Sequence, residues 1–261
     1  MIGIFDSGLG GLSVLAAIAR ALPGADLTFL ADTANMPYGP RSNAFIRGRV
    51  LAIGHHLADL GCGMIVVACN TATAAAVQAL RAELPKLPVV GVEPGVKPAA
   101  KTSPRKHIAV LATESTSRSD RLARLIRTHC EGVQVDIAPC PNWATRVEAL
   151  NFTEPAFVAS VKDTVEPLLA AGADRLVLGC THYGFLAPVL NPLVAGRAEL
   201  VDVAEAVARQ AVRRAGSAAQ GRGRLVLEAT ARPEALPRAL NGLGLGWLAE
   251  RSHEPPRLVG V

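Results

Sequence analysis

Short apolar segments alternate with longer helical patterns along this chain of 261 residues, and this alternation restricts the possible folds more than any other feature. The predicted strands are Ile2–Phe5, Leu27–Ala31, Met64–Ala68, Val89–Val92, Ile108–Ala112, Val133–Ile137, Leu176–Leu178, Glu199–Val201 and Leu225–Leu227. The predicted helices are Gly11–Leu22, Ser42–Leu60, Thr73–Glu83, Ser117–Cys130, Glu154–Ala171 and Val203–Ala215. Strands that alternate with helices are typical of parallel sheets covered on both faces. The predicted fold class is therefore α/β.

A weak internal repeat indicates two similar halves. The segment Met64–Thr73 resembles Arg175–Gly184: each is an apolar strand that leads to a cysteine, a polar pair and a predicted helix. The two cysteines, Cys69 and Cys180, are 111 residues apart. Ser7 and Thr113, which follow two other similar strands, are 106 residues apart. Two offsets of similar size predict two pseudo-symmetric α/β domains.

The chain also suggests where the domains begin and end. The Pro- and Gly-rich segment Val90–Pro104 is the expected first crossing between them. The second half ends near Val201, and the remaining residues are expected to return to the first half. We therefore expect residues 1–95 plus 205–261 to form the first domain and residues 96–204 the second.

Composition narrows the partners and the location. Hydrophobic residues make up 50% of the chain, but no apolar run approaches the ~20 residues of a membrane span. The net charge is +5, yet the arginines are scattered and no dense basic run with interleaved aromatics occurs. The first residues, MIGIFDSGLGG, contain no basic segment followed by an apolar one. We expect a cytoplasmic protein without a membrane or nucleic-acid partner; the sequence is compatible with a homodimer.

The five cysteines, an odd number without a CxxC pair, fit neither a disulfide framework nor a zinc site. Reduced thiols in the cytoplasm are the simplest interpretation. Adjacent His55 and His56, with Cys62 nearby, could suggest a metal site, but neighbours in a helix point in different directions. We expect no metal.

Polar turns follow the ends of five predicted strands, where open parallel sheets collect ligands. The turns are Asp6–Ser7, Asp32–Gly39, Cys69–Thr71, Thr113–Thr116 and Cys180–His182. They place two thiols at equivalent positions of two similar halves. If the halves face each other, the thiols face each other across a cleft between the domains, which is the expected active site.

Two facing thiols suit the inversion of a stereocentre by proton transfer, which needs a base on one face of the carbon and an acid on the other. A free thiol has a pKa of about 8.5, and the start of a helix favours its thiolate. An α-proton about ten pKa units less acidic would still cost on the order of 14 kcal/mol to remove. The site must therefore also stabilise the carbanion with fixed donors.

Neutral donors are present in the same turns, whereas the residues of common cofactor sites are not. Helix-start amides and the polar side chains of the turns could bind substrate carboxylates; these side chains are Ser7, Asn70, Thr71, Thr113, Thr116 and Thr181. No lysine lies in the turns, which argues against a pyridoxal Schiff base. The glycines of Gly8–Gly11 resemble a dinucleotide loop, but Ser13 occupies the third glycine position. Asp32, placed like a ribose-binding acid, keeps that alternative open; otherwise we expect no cofactor.

Several of these segments together resemble the cofactor-independent aspartate/glutamate racemase superfamily, and within it the glutamate racemases. The segments are FDSGLGGLSVL, ADTANMPYG, VVACNTATA, VEPG and LGCTHY, in order between Ile2 and about Val203. The resemblance implies two pseudo-symmetric α/β domains with the substrate between them, and the conversion of L-glutamate to D-glutamate for peptidoglycan.

The resemblance also implies roles for individual residues. Cys69 would remove the α-proton of D-glutamate and Cys180 that of L-glutamate, while Asp6 and His182 would assist proton transfer beside them. The implied substrate contacts are Asp6, Ser7, Pro37, Tyr38, Gly39, Asn70, Thr71, Thr113, Thr116, Thr181 and His182. His182 favours glutamate, since aspartate racemases typically carry Glu there. Glu148 stands where the family has an acidic residue near the second half of the site.

Two other functions remain open. A racemase of the same fold could act on aspartate, a hydantoin or an arylmalonate. A two-domain α/β protein could also bind an amino acid or a nucleotide without turnover, in which case it would need no reactive thiols.

Overall fold

The computed structural model describes residues 1–261 and contains ten strands, eleven α-helices and four 3₁₀ helices. The strands are β1 (Ile2–Asp6), β2 (Leu27–Ala31), β3 (Met64–Val67), β4 (Val89–Gly91), β5 (His107–Ala112), β6 (Gln134–Pro139), β7 (Arg175–Leu178), β8 (Glu199–Val201), β9 (Leu225–Ala229) and β10 (Arg257–Leu258). Every strand pair in both sheets is parallel, so the predicted α/β class is confirmed.

The helices connect these strands. The α-helices are α1 (Leu12–Ala21), α2 (Asn43–Asp59), α3 (Asn70–Glu83), α4 (Val96–Thr102), α5 (Glu114–Ser117), α6 (Asp120–His129), α7 (Trp143–Glu148), α8 (Pro155–Ala170), α9 (Ala187–Val194), α10 (Ala204–Ala215) and α11 (Leu236–Gly242). The 3₁₀ helices are Thr181–Leu186, Gly216–Ala219, Pro233–Ala235 and Gly246–Arg251. No helix has both the length and the apolar character that a membrane span requires.

The chain forms two compact units. The first contains Met1–Val92 and Ala204–Val261, and the second contains Glu93–Val203. In the first unit six strands form one sheet in the order β10-β9-β2-β1-β3-β4. In the second unit four strands form a sheet in the order β6-β5-β7-β8.

The strand orders show that the internal repeat is structural. Four adjacent strands of the first unit, in the order β2-β1-β3-β4, correspond one by one to β6-β5-β7-β8 of the second. Met64 and Arg175, the first residues of β3 and β7, are 111 residues apart, the same spacing as the two cysteines. The first unit differs because β9 pairs with β2 and β10 extends the edge.

Burial explains why these segments form strands. All five residues of β1 and of β2 are buried, as expected for a parallel sheet covered on both faces. On one face, α2 and α3 pack against this sheet around residues such as Ile46, Val67 and Leu80. Burying a side chain of this size contributes roughly 1.5–3 kcal/mol, so the sheet is a rigid support for the turns at its edge.

The structure changes some of the predicted elements. All nine predicted strands are present with small shifts at their ends. The segment Val90–Pro104, predicted as a crossing, includes the helix α4, in which Pro98 is tolerated within the first turn. β3 and β7 end two residues before Cys69 and Cys180, which instead occupy the N-caps of the following helices. After Cys180 that helix is a 3₁₀ helix of six residues and not a long α-helix.

Gly179, just before Cys180, provides a test of how tightly the second sheet packs. A Cβ at this position would lie 2.7 Å from the backbone oxygen of Leu111, which has no freedom to move away. We expect Gly179→Ala to lower the free energy of unfolding by about 1–3 kcal/mol. The change is measured by urea unfolding followed by circular dichroism.

Gly48 is the matched control. It is exposed within α2, and a Cβ there would meet nothing within 4 Å. Because alanine favours a helix over glycine, Gly48→Ala should raise stability by up to about 1 kcal/mol. Equal stability of the two alanine variants would show that the packing around Gly179 is looser than described.

Candidate active site

The first sulfur, that of Cys69, lies at the carboxyl edge of the first sheet, where α3 begins. Cys69 has an extended backbone (φ −137°, ψ 120°) and is the N-cap of α3. The Ala72 amide donates a hydrogen bond to its sulfur (3.4 Å), and Ser7 Oγ lies 3.8 Å from the same atom. An amide hydrogen at a helix start favours a thiolate over a thiol, so this sulfur is placed where it can hold negative charge.

Asp6 lies at the end of the neighbouring strand β1 and is fully buried. Its Oδ2 accepts hydrogen bonds from the amides of Gly8 (3.2 Å) and Gly11 (3.1 Å). A Cβ at Gly11 would lie 2.6 Å from the Cβ of Asp6, so glycine is required for this close approach. The Asp6 carboxylate therefore holds the turn that leads into α1.

Asn70 is the most informative substrate-binding candidate. Asn70 is 5% exposed, and neither its Oδ1 nor its Nδ2 has a hydrogen-bond partner within the chain. Leaving a buried amide unpaired costs about 1–3 kcal/mol per group, and such groups in native proteins require an explanation. An amide that donates and accepts beside a sulfur is well suited to a ligand that carries both a carboxylate and an ammonium group.

The predicted loop Asp32–Gly39 follows β2 at the same edge. The Tyr38 hydroxyl donates to Asp32 Oδ2 (2.5 Å), and both residues are buried. Burial and the adjacent Asp32 carboxylate raise the pKa of Tyr38 far above its usual value, so the phenol stays neutral. Pro37, preceded by a cis peptide bond, and Gly39 are half-buried beside it.

The second sulfur, that of Cys180, lies at the carboxyl edge of the second sheet in a different setting. Cys180 is the N-cap of the 3₁₀ helix Thr181–Leu186. His182 Nδ1 is 3.5 Å from its sulfur, and His182 Nε2 is 2.5 Å from Glu148 Oε1. The side chains of His182 and Glu148 are only 5% and 7% exposed. Sulfur, imidazole and carboxylate therefore form a buried chain of three groups.

The charge state of His182 follows from these contacts. Burial disfavours the imidazolium, but the Cys180 sulfur and the Glu148 carboxylate outweigh it and raise the pKa of His182 well above its usual value. These contacts therefore favour the imidazolium form of His182, and a cation beside a sulfur favours the thiolate. Each sulfur thus lies beside a group that stabilises negative charge: the neutral Ala72 amide at Cys69 and the imidazolium form of His182 at Cys180.

The threonines of the second unit have structural partners of their own. Thr113 caps the short helix α5, and its hydroxyl is 3.0 Å from that of Thr116. Thr116 and Thr181 are buried at the same edge of the sheet as Cys180. Tyr183, not selected from the sequence, donates its hydroxyl to the Cys140 carbonyl (3.1 Å) behind this group.

The three other cysteines, Cys62, Cys130 and Cys140, are buried and lie outside these turns. Burial raises the pKa of Cys62 to about 11 and that of Cys140 to about 12. His55 and His56 have separate partners, Glu83 and Glu228, as expected for neighbours that point in different directions in a helix.

Sequence reasoning placed Glu148 near the second half of the site but could not show its contact with His182. The two residues are 34 positions apart, on α7 and on the 3₁₀ helix after β7, and no motif joins them. It also missed Arg49 and Thr230, which bond to Asp32 from α2 and from the end of β9.

The profile of the Asp/Glu/Hydantoin racemase family matches residues 2–211. The chain belongs to this family. A glutamate racemase of Ectopseudomonas mendocina is 46% identical over 215 residues, which cover 82% of each chain. Because racemases are isomerases, this membership places the chain among the isomerases.

Solved structures of the family share the fold. The Escherichia coli glutamate racemase in complex with L-glutamate and the activator UDP-MurNAc-Ala has a TM-score of 0.84 at 31% identity, with 94% of this chain and 95% of that chain covered. The Thermus thermophilus glutamate racemase in complex with β-chloro-D-alanine has a TM-score of 0.80 at 33% identity, with 100% and 96% covered. The predicted two-domain racemase fold is thereby confirmed.

The contacts of His182 allow a pH prediction for Glu148→Gln. Losing the carboxylate removes one cause of the raised pKa of His182, so we expect this pKa to fall in the variant. The stability that wild type owes to the charged pair is fully present below about pH 6.5, the ordinary histidine pKa, and is lost as the pH rises through the raised pKa of the folded state. Imidazole NMR titration and urea unfolding between pH 5.5 and 9 measure both.

The control is Glu154→Gln, which removes an exposed carboxylate that pairs with Arg146 of α7, the helix that also carries Glu148. It should leave the titration of His182 unchanged. An unchanged His182 pKa in Glu148→Gln would contradict the described contact.

Proposed function

We propose that the protein is a glutamate racemase that interconverts L- and D-glutamate by proton transfer at Cα, with Cys69 and Cys180 as the two acid/base groups. One observation supports this above all others: both sulfurs occupy the same point of two repeated units, two residues beyond the corresponding strands β3 and β7 and at the start of a helix. Relatives named glutamate racemase at 44–47% identity support the choice of substrate.

Proton transfer in this mechanism uses the thiols alternately. With D-glutamate, the Cys69 thiolate takes the α-proton and the Cys180 thiol gives a proton to the opposite face. With L-glutamate the roles are exchanged. Both thiols must reach the same carbon, and each turnover reverses which sulfur is charged, so the next molecule of the same enantiomer requires the protons to be restored from solvent.

The remaining site residues have roles that fit this chemistry. We propose that Asn70, Thr71 and Thr181 bind the carboxylates, with the loop residues Pro37–Gly39 and the threonines Thr113 and Thr116 as further contacts. Their neutral donors stabilise the charge that develops on the α-carboxylate as the proton leaves. Ser7 orients the sulfur of Cys69. Because the negative charge of the Asp6 carboxylate would disfavour a thiolate at Cys69, Asp6 does not activate this cysteine by charge; it binds the substrate ammonium or relays its proton.

We further propose that His182 assists Cys180 and that Glu148 acts through His182. The imidazolium stabilises the Cys180 thiolate when L-glutamate is the substrate, while Glu148 fixes the ring through Nε2. Cys69 has no such pair. Because the two enantiomers have equal free energies and share one transition state, loss of Glu148 should lower kcat/KM by the same factor in both directions.

The wider role follows from the substrate. D-glutamate produced by this enzyme would supply peptidoglycan synthesis. The mechanism needs two reduced thiols, which favours the cytoplasm as its compartment. We propose the two compact units as the two domains of the enzyme, with small-molecule glutamate as its partner.

The experiment compares three cysteine variants by circular dichroism with L-glutamate, D-glutamate and L-aspartate. Cys69→Ser and Cys180→Ser should each lower turnover of both glutamate enantiomers by about 10²–10⁴-fold, the usual contribution of acid/base catalysis. Cys62→Ala removes a buried thiol whose pKa is about 11, and it should retain wild-type turnover. L-aspartate should not be racemised.

Each alternative function has its own outcome. Turnover of L-aspartate without turnover of glutamate would assign the enzyme to aspartate. Glutamate binding without turnover, insensitive to both serine substitutions, would identify an amino-acid-binding protein instead.

A further inference from the structure

The chain from Leu225 onwards lies beyond the family match, which ends at residue 211. It nevertheless completes the first sheet: β9 pairs with β2 along its whole length, and β10 pairs with β9. Because these strands are parallel, the end of β9 lies beside the end of β2. The loop of residues 32–39, the substrate loop, begins at this point.

Thr230, the residue after β9, is bonded to both ends of the first turn of this loop. Its hydroxyl donates to Asp32 Oδ1 (2.8 Å) and accepts from the Ala34 amide (3.0 Å). The next residue is joined to the same turn in both directions: the Thr33 hydroxyl donates to the Ala231 carbonyl (2.5 Å) and accepts from the Ala231 amide (3.0 Å). Four hydrogen bonds thus join the substrate loop to the two residues after β9, and each of them involves a threonine hydroxyl.

Arg49 is a second link between the two regions. Its Nε and Nη2 donate to the two oxygens of Asp32 (3.0 and 2.9 Å), and its Nη1 donates to a backbone oxygen of Val261 (2.5 Å). A planar guanidinium presents these three donors on three separate nitrogens in a fixed geometry, whereas an ammonium group has a single nitrogen that cannot occupy all three positions. The segment after β10 is therefore joined to Asp32 through a single side chain.

Asp32 links Thr230 and Arg49 to other residues of the substrate loop. It is fully buried and also accepts from Asn35 Nδ2 (2.9 Å) and from the Tyr38 hydroxyl. Although burial opposes ionisation, the bonds from Arg49, Tyr38, Asn35 and Thr230 hold the pKa of Asp32 below its usual range. An ionised Asp32 accepts from all of these donors, and the Tyr38 hydroxyl is thereby committed to Asp32.

We propose that Thr230 and Arg49 are positioning residues for glutamate, through which the C-terminal segment Leu225–Val261 holds the substrate loop in its binding geometry. The inference rests on the proposed function of the loop as part of the glutamate site. Neither residue touches the two sulfurs in the contacts described, so their loss should weaken substrate binding and leave the proton-transfer step largely intact.

The test measures KM and kcat for both enantiomers in three variants. Thr230→Val keeps the shape of the side chain but loses the hydroxyl, and we expect KM for glutamate to rise about fivefold, the effect of one hydrogen bond of average net strength. We expect kcat to change by less than about twofold, as when binding common to ground and transition states is lost. Thr230→Ser restores the hydroxyl and should restore KM. Arg49→Lys should raise KM in the same way.

Thr28→Val is the matched control. Thr28 lies at the other end of β2, is buried, and its hydroxyl contacts only the Met1 sulfur (3.2 Å). It should leave KM unchanged, and thermal unfolding of all variants shows whether stability is affected equally. A KM in Thr230→Val equal to that of Thr28→Val, or a fall of kcat that Thr230→Ser does not rescue, would overturn the inference. If Thr230→Val does not fold, a wild-type KM in Arg49→Lys overturns it instead.

The two proposals can fail separately. A wild-type chain that does not racemise glutamate refutes the proposed function and the inference together. An active wild-type chain with no KM effect in the Thr230 and Arg49 variants refutes the inference alone.

Discussion

The proposed chemistry depends on how each sulfur is held just beyond a buried parallel strand, where a helix begins. At Cys69 the backbone is extended, so the side chain turns back over the first turn of α3 and receives the Ala72 amide. The strand before it is fully buried, and this rigidity fixes the sulfur in space. A helix start is one of the few places where a folded chain stabilises an anion with uncharged groups. The proposed reaction needs a stabilised thiolate at both Cys69 and Cys180.

The two units use the same topology but different chemistry at this point. Cys69 begins an α-helix of fourteen residues, whereas Cys180 begins a 3₁₀ helix of six residues. A short 3₁₀ helix offers poorer alignment of its amides. The second unit has an imidazolium in their place, held by the Glu148 carboxylate. The charge of this imidazolium depends on pH, while that of a backbone amide does not. The pH dependence of kcat can therefore differ between the two directions of the proposed reaction, although kcat/KM stays equal for the two enantiomers at every pH.

Much of the fold could be predicted from the sequence because its signals are local. Buried parallel strands appear as apolar runs, and the repeat around Cys69 and Cys180 located both sulfurs at equivalent positions. The contacts that complete the site are not local. Glu148 and His182, or Asp32 and Thr230, come together only after the sheets form, 34 and 198 residues apart. The helix α4 was hidden in Val90–Pro104 because its prolines and glycines read as a crossing, although a proline in the first helical turn costs no hydrogen bond.

The central claim is that two different groups act on opposite faces of one carbon. It is tested most directly by following deuterium during a single early conversion of L-glutamate in D₂O by mass spectrometry. Two separate thiols predict that D-glutamate carries one solvent deuterium at Cα while the remaining L-glutamate keeps its hydrogen. Substantial return of the original hydrogen to the D-glutamate product would indicate a single base that serves both faces. That result would contradict the account.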